Sequence, residues 1–158
     1  MLVLLALTLL AGCARGSAAP APPEIRYGED QCAHCTMIIS DPRFAAGIAY
    51  EIEPGRYESL AFDDIGDMLA EAGSHPERVV VDYYVHDYTS EEWLDATEAH
   101  FVVSPAIPSP MGSGIAAHAS AEAAAAHAAE LQGRVLTWDE LQNGGAALAP
   151  SGHTDHQH

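Results

Sequence analysis

The chain has 158 residues, with 23 acidic side chains against 6 basic ones and a formal net charge of −17. With only six basic residues, all of them arginine, against 23 acidic ones, the chain lacks the basic surface that nucleic acid or anionic lipid headgroups require. We therefore expect no nucleic-acid partner, and we interpret the acidity as a well-solvated surface.

The start of the chain has the character of a lipoprotein signal peptide covering residues 1–12. Its apolar run is too short to span a bilayer, and small residues lead to Cys13 in a segment that resembles a bacterial lipobox. By resemblance to bacterial lipoproteins, Cys13 would carry the acyl chains that anchor the protein to a membrane. Residues 13–27, rich in alanine and proline, would then form a tether. We expect a cell-envelope protein that faces the periplasm or extracytoplasmic space; an accidental apolar start in a cytosolic protein is the alternative.

Two cysteines and a methionine stand where the chain becomes apolar. If residues 37–40 form a strand, the side chains of Cys35 and Met37 leave the same face and can converge on one ion. A thiolate with a thioether favours Cu(I), and zinc is the weaker interpretation because a thioether is not a usual zinc ligand. Alternatively, Cys32 and Cys35 form a disulfide or a redox pair while Met37 fills a core.

The sequence pattern of residues 28–96 predicts a first unit in the order strand, strand, helix, strand. An apolar stripe at three- and four-residue spacing begins at Phe62 and predicts a helix. Asp63 and Asp64 suit its first turn, and Gly73 ends it. The expected strands cover residues 37–40, 46–52 and 79–85.

The sequence pattern of residues 97–142 predicts a second unit with the same order of strands and helix. Ser120 can cap an alanine-rich helix that extends to Leu131 and ends before Gly133, and Met111 lies in a turn before the second strand. The expected strands cover residues 99–103, 115–119 and 135–138. The sequence therefore predicts an α+β fold of two small tandem ββαβ units packed together, with a methionine near the start of each.

The chain ends in a segment, residues 143–158, that is rich in glycine, alanine and histidine. Its last three histidines, His153, His156 and His158, could collect Cu(II) or zinc. A flexible tail without a fixed role is the alternative.

Five short motifs occur in a fixed order after the lipobox. They are Cys35-Thr36-Met37-Ile38-Ile39, Asp63-Asp64 at a helix start, Tyr84-Val85-His86-Asp87, Trp93-Leu94-Asp95-Ala96 and Pro110-Met111-Gly112. In this order, over about residues 32–141, the chain resembles the NosL family of copper-binding lipoproteins. The resemblance implies two ββαβ units and a copper chaperone, not an enzyme. It also implies delivery of copper for the maturation of nitrous oxide reductase, or to another copper-receiving protein.

The resemblance also implies the ligands of the metal. Cys35 and Met37 would bind Cu(I), and Met111 would be a third ligand brought in from the second unit. One departure is Thr36, where the family usually has glycine. Because threonine is β-branched and prefers extended backbone, we expect the strand to begin one residue earlier here.

Four further side chains are candidates to assist the site. Cys32 and His34 flank the predicted ligands closely. His86 is a candidate ligand and Asp87 a candidate partner that orients it, the alternative being polar residues satisfied at a strand end.

Two hypotheses compete with copper transport. The first is a thiol–disulfide oxidoreductase that uses Cys32 and Cys35, but residues 38–42 do not predict the helix that such a pair usually precedes. The second is a structural lipoprotein stapled by a disulfide. We find no nucleophile, phosphate loop or carboxylate dyad that would indicate another enzyme.

Overall fold

The computed structural model describes residues 16–144, which form two antiparallel sheets and three helices. The elements are β1 (Ala46–Glu53), β2 (Arg56–Phe62), α1 (Ile65–Ser74), β3 (Val80–His86), β4 (Trp93–Asp95), β5 (His100–Val103), β6 (Ile115–His118), α2 (Ala121–Leu131), β7 (Arg134–Leu136) and α3 (Trp138–Gly144). The predicted α+β class is confirmed. The lipobox with Cys13 and the histidines of the tail lie outside the described residues.

The two sheets repeat one plan. The first has the strand order β2-β1-β3-β4 and the second the order β6-β5-β7. Along the chain, β1-β2-α1-β3 and β5-β6-α2-β7 are both ββαβ, as the sequence predicts. The domain boundaries placed at residues 96 and 142 stay predictions.

The first unit departs from the predicted strands. Residues 37–40 form no strand, and Ile38 makes only an isolated bridge to Gln31. The first two strands are instead a hairpin around Gly55, whose φ of 72° suits the turn. Phe62, predicted to begin the helical stripe, ends β2 and pairs with the first residue of β1. The prediction missed β2 because half of its residues are polar and no continuous apolar run marks it.

The second unit follows the prediction more closely. The Ser120 side chain accepts a hydrogen bond from the backbone N–H of Ala123 at 3.2 Å, as expected of a helix cap. The strand predicted at residues 135–138 ends before Trp138, which begins α3. Thr137 and Glu140 form a reciprocal capping box there, with the Thr137 N–H donating to the Glu140 carboxylate at 2.8 Å.

One apolar core joins the two units. Its fully buried members include Phe62, Ile65 and Met68 from the first unit and Phe101 and Leu141 from the second. A smaller cluster around Phe44 and Val102 lies under α2. Because the main core is shared, the position of one unit is set by packing against the other. Within residues 16–144, no helix has the length and apolar character needed to cross a membrane.

Candidate metal centre

The cysteines lie in a tight loop rather than on a strand. The Cys32 N–H donates to the Met37 carbonyl at 2.8 Å, and the Thr36 N–H donates to the Cys32 carbonyl at 3.0 Å. Thr36 has a φ of 63°, in the left-handed region that a β-branched residue rarely adopts. The predictions of an extended Thr36, and of Cys35 and Met37 on one face of a strand, were therefore wrong.

Three potential ligand atoms converge inside this loop. The sulfurs of Cys32 and Cys35 and a carboxylate oxygen of Asp67 lie within 4.8 Å of one another. The Cys32 thiol donates to Asp67 Oδ2 at 3.3 Å, and the Cys35 N–H donates to Cys32 Sγ at 3.5 Å. Both cysteines are free thiols, Cys32 buried and Cys35 half-buried. The cysteine loop and α1 therefore bring two thiols and one carboxylate to a common point.

The half-buried Cys35 is strongly held in its neutral form. Burial, together with a hydrogen bond to the Asp67 carboxylate, raises the pKa of the Cys35 thiol to about 12. The thiol is thus protonated at neutral pH in the metal-free protein. Binding a metal at Cys35 has to release that proton.

Both candidate methionine ligands are exposed. Met37 is 58% exposed and Met111 is 44% exposed, whereas methionine side chains usually fill apolar cores. The alternative in which Met37 fills a core was therefore wrong. The Met111 N–H donates to Asp64 Oδ2 at 3.0 Å, and Asp64 caps α1 by accepting from the Gly66 N–H at 2.7 Å. The structure thus attaches the Met111 loop of the second unit to the start of α1.

His34 lies beside the cysteine loop and contacts the same helix. Its Nδ1 is 3.0 Å from Glu71 Oε2. Glu71 also accepts from Arg78 at 3.0 Å and lies 3.3 Å from His75 Nε2. Burial opposes the ionisation of Glu71, but the hydrogen bonds from His34 and Arg78 outweigh it and lower the Glu71 pKa.

Sequence reasoning missed the part that α1 plays in this centre. Asp64, Asp67 and Glu71 recur at three- and four-residue spacing, which puts them on one face of the helix start. Asp67 accepts a hydrogen bond from the Cys32 thiol, and Glu71 contacts His34. The spacing was visible in the sequence, but Asp64 and Asp67 near a helix N-terminus are explained by the helix dipole alone, and Glu71 by an ordinary solvated helix surface, so the spacing carried no signal for a site.

The structure places His86 in a satisfied, buried environment. Its Nδ1 is 2.7 Å from the Glu91 carbonyl, and its Nε2 is 3.2 Å from the Tyr27 hydroxyl. A carbonyl can only accept, so Nδ1 carries the hydrogen and Nε2 accepts from Tyr27. The ring also packs on Trp93 with 3.9 Å between centroids, and burial lowers the His86 pKa. Both ring nitrogens of His86 have hydrogen-bond partners, which favours the alternative that His86 is a polar residue satisfied at a strand end. A role for His86 as a metal ligand stays a prediction.

Asp87 joins the two units, and none of its hydrogen bonds among the described residues goes to His86; a role in orienting His86 stays a prediction. Its Oδ2 accepts from the N–H groups of Thr89 and Ser90 at 3.2 and 2.8 Å and from the Ser90 hydroxyl at 2.9 Å. Its Oδ1 accepts from the Ala119 N–H at 2.8 Å. Burial opposes ionisation, but these hydrogen bonds outweigh it and lower the Asp87 pKa.

Comparison with known proteins gives three concordant matches. The sequence model of the NosL family matches residues 25–145. A copper-binding lipoprotein NosL of Stutzerimonas stutzeri is 29% identical over 148 residues, covering 85% of this chain and 75% of that protein. The crystal structure of the copper chaperone NosL from Shewanella denitrificans matches with a TM-score of 0.63 and 22% identity, covering 76% of this chain and 94% of that chain. The structural likeness concerns the fold and agrees with the α+β architecture described above.

Proposed function

The chain belongs to the NosL family, and from this premise we propose that it is a Cu(I)-binding lipoprotein that carries copper to an acceptor protein. We propose nitrous oxide reductase as the acceptor, as the sequence resemblance to the NosL family implies, so that its maturation would use the delivered copper. Cys13 would attach the protein to a membrane by its acyl chains, so that the folded part works in the periplasm or extracytoplasmic space.

The observation that carries the proposal is a group of soft donors at the surface. Two free thiols lie within 4.8 Å of each other at the cysteine loop, and Met37 of that loop is exposed. Thiolate and thioether ligands select Cu(I) over cations that prefer oxygen. We assign Cys35 as the charged ligand, with Met37 and Met111 as neutral ones.

The exposure of both methionines suits release as well as binding. A carrier has to hold copper firmly and still pass it to a docked acceptor. In our proposal the acceptor's ligands displace the two exposed thioethers first and the half-buried Cys35 thiolate last. Copper is thus the cargo of the protein, and transfer proceeds by ligand exchange without a change of oxidation state.

The test is an anaerobic Cu(I) titration against a chromophoric chelator, with Cys13→Ser in every protein so that no additional thiol binds. Cys35→Ser should weaken binding by more than about 100-fold, beyond the 10- to 100-fold typical of lost outer contacts. Truncation after Leu141 should leave the affinity unchanged, since it removes the histidine tail and spares the cysteine loop. Tight binding that survives Cys35→Ser would refute the assignment.

A matched variant, Cys32→Ser, separates the roles of the two thiols. Cys32 is 2% exposed and donates to Asp67, so we expect a smaller loss of affinity than for Cys35→Ser. Replacing Met37 and Met111 by leucine should weaken binding and speed transfer to the chelator. If neither the affinity nor the transfer rate changes, the transfer mechanism is wrong.

The proximity of the two thiols also supports a second candidate, a thiol–disulfide oxidoreductase. Redox cysteines need a lowered thiol pKa, whereas the Cys35 pKa is raised to about 12. Copper transport is the better-supported function, because the chain belongs to the NosL family. Rapid cycling of Cys32 and Cys35 with a dithiol, together with no tight Cu(I) binding, would reverse this preference.

A further inference from the structure

We propose that Asp64 is the residue that positions Met111 for copper, by attaching the Met111 loop to the first turn of α1. The proposal rests on the proposed function, because it concerns the methionine that we assign as the ligand from the second unit. It adds a positioning residue that sequence reasoning had assigned only to a helix start.

The first observation is that one buried carboxylate serves two partners. Asp64 is fully buried, and each of its oxygens has a separate task. Oδ1 accepts from the Gly66 N–H at 2.7 Å, which caps α1, and Oδ2 accepts from the Met111 N–H at 3.0 Å. A helix cap needs only one of these bonds, so capping alone does not account for the second.

The second observation is independent of the carboxylate. A Cβ atom added to Gly66 would lie 2.6 Å from the Cβ of Ser113, a separation that real structures essentially never show. The Met111 loop therefore packs against the first turn of α1 so closely that only glycine fits at position 66.

The loop that approaches α1 has a defined shape of its own. Ser109 accepts from the Gly112 N–H through its carbonyl at 3.0 Å and from the Gly114 N–H through its hydroxyl at 3.0 Å. The Ser109 and Ser113 hydroxyls lie 3.3 Å apart. Because the loop is braced internally, a single bond from Asp64 to the Met111 backbone can set the place of the whole turn.

The same turn of α1 also contacts the cysteine side of the centre. Asp67, three residues after Asp64, accepts from the Cys32 thiol at 3.3 Å. The first turn of α1 thus attaches the cysteine loop through Asp67 and the methionine loop through Asp64. Asp64 binds the backbone of Met111 and not its side chain, so the exposed Met111 thioether stays free to bind copper or to be displaced.

The test is a double-mutant cycle on Cu(I) affinity in the full chain carrying Cys13→Ser. Asp64→Ser keeps a good capping residue for α1, but its shorter side chain cannot reach both partners. Met111→Leu keeps the side-chain volume and removes the sulfur. We expect each single change to weaken Cu(I) binding by about tenfold or more. In the Met111→Leu background, Asp64→Ser should change the affinity by less than about twofold, as expected when two changes remove one shared interaction.

Two further variants guard against a general loss of fold. Ser120→Ala removes the cap of α2, and it should lower stability while leaving Cu(I) affinity unchanged. Gly66→Ala keeps the Asp64 carboxylate and displaces the loop by contact with Ser113, so it should reproduce the affinity loss of Asp64→Ser and the same dependence on Met111. If Asp64→Ser does not fold, Gly66→Ala decides the question by the same cycle.

The outcomes separate this inference from the function on which it rests. If Met111→Leu weakens binding but neither Asp64→Ser nor Gly66→Ala does, the positioning role is refuted and copper binding by Met111 stands. Equal losses of affinity with and without the Met111 sulfur would also refute the role, because Asp64 would then act on the fold in general. If Met111→Leu has no effect, the ligand assignment fails and the inference fails with it.

Discussion

Asp87 gives the clearest quantitative prediction, because its carboxylate connects the two units. Asp87 is 6% exposed and accepts three hydrogen bonds from the turn after β3 and one from Ala119, just after β6. The backbone around it is also bridged, since the Tyr88 N–H donates to the Ala117 carbonyl at 2.8 Å. Asp87→Ala removes the side chain from this junction and leaves the backbone bond in place.

The size of the effect follows from where the four donors lie. Thr89, Ser90 and Ala119 are all exposed, so their N–H groups and the Ser90 hydroxyl can recover hydrogen bonds to water. We count about 1 kcal/mol for the three bonds within the turn and about 2 kcal/mol for the Ala119 bond, because only the Ala119 bond joins the two units and a hydrogen bond to a charged group contributes about 1.5–3 kcal/mol. We therefore expect Asp87→Ala to lower the free energy of unfolding by about 3 kcal/mol, and Asp87→Asn, which keeps one acceptor oxygen, by about half as much.

The measurement is equilibrium urea unfolding followed by far-UV circular dichroism and tryptophan fluorescence. Asp95→Ala is the matched control, because among the described residues the exposed Asp95 carboxylate accepts from the N–H and the hydroxyl of its neighbour Thr97 alone, at 2.8 and 2.7 Å. The two transitions should coincide for Asp87→Ala if the junction is part of a single cooperative unit.

The same variants distinguish a structural Asp87 from one that orients a metal ligand. We expect the Cu(I) affinity of folded Asp87→Asn to stay within about twofold of the parent, since the bonds of Asp87 go to its own turn and to Ala119. The reasoning is refuted if Asp87→Ala costs no more stability than Asp95→Ala. A fall in Cu(I) affinity with little loss of stability would instead support the interpretation of Asp87 as the partner that orients His86.

Two further predictions concern backbone strain and pH. Thr36→Gly should raise the free energy of unfolding by up to about 1 kcal/mol, because it relieves about 1–2 kcal/mol of left-handed strain but gives the unfolded chain more conformational freedom. Urea unfolding of this variant, with Thr36→Val as the control, measures the effect. A Thr36→Gly protein less stable than the parent would contradict the prediction. His118 is 2% exposed, its Nε2 lies 2.9 Å from His127 Nδ1, and its own Nδ1 has no hydrogen-bond partner among the described residues. Burial, then the nearby charge of His127, lowers the His118 pKa below its usual 6.5, with Asp87 opposing and His100 adding to the shift. His118 therefore binds a proton more readily in the unfolded chain than in the folded protein. As pH falls below 6.5, protonation of His118 lowers the free energy of unfolding by at most about 1.4 kcal/mol per pH unit. Unfolding measured at pH 7.5 and 5.5 should show a smaller stability difference in His118→Gln than in the parent, and equal differences would argue against a neutral buried His118.

Local sequence signals predicted the elements whose stabilising groups are close along the chain. Ser120 caps α2 as expected, and the alanine-rich stretch after it is helical. Thr137 and Glu140, three residues apart, have the spacing of a capping box and so indicated the start of α3. The prediction of a strand through Trp138 did not use this signal. By contrast, the polar strand β2 is held by pairing with β1, and a half-polar segment shows no such pairing in its own residues.

For the centre itself, the sequence determined the chemistry and the tertiary structure decided the arrangement. Cys35 and Met37, two residues apart, predicted soft ligands, because the preference of sulfur for Cu(I) depends only on the side chains present. The left-handed Thr36, the Cys32–Asp67 contact and the Asp64–Met111 bond were not predictable in the same way. Each depends on how a loop packs against α1 across a shared core, and that packing is a property of the whole fold that no local pattern encodes.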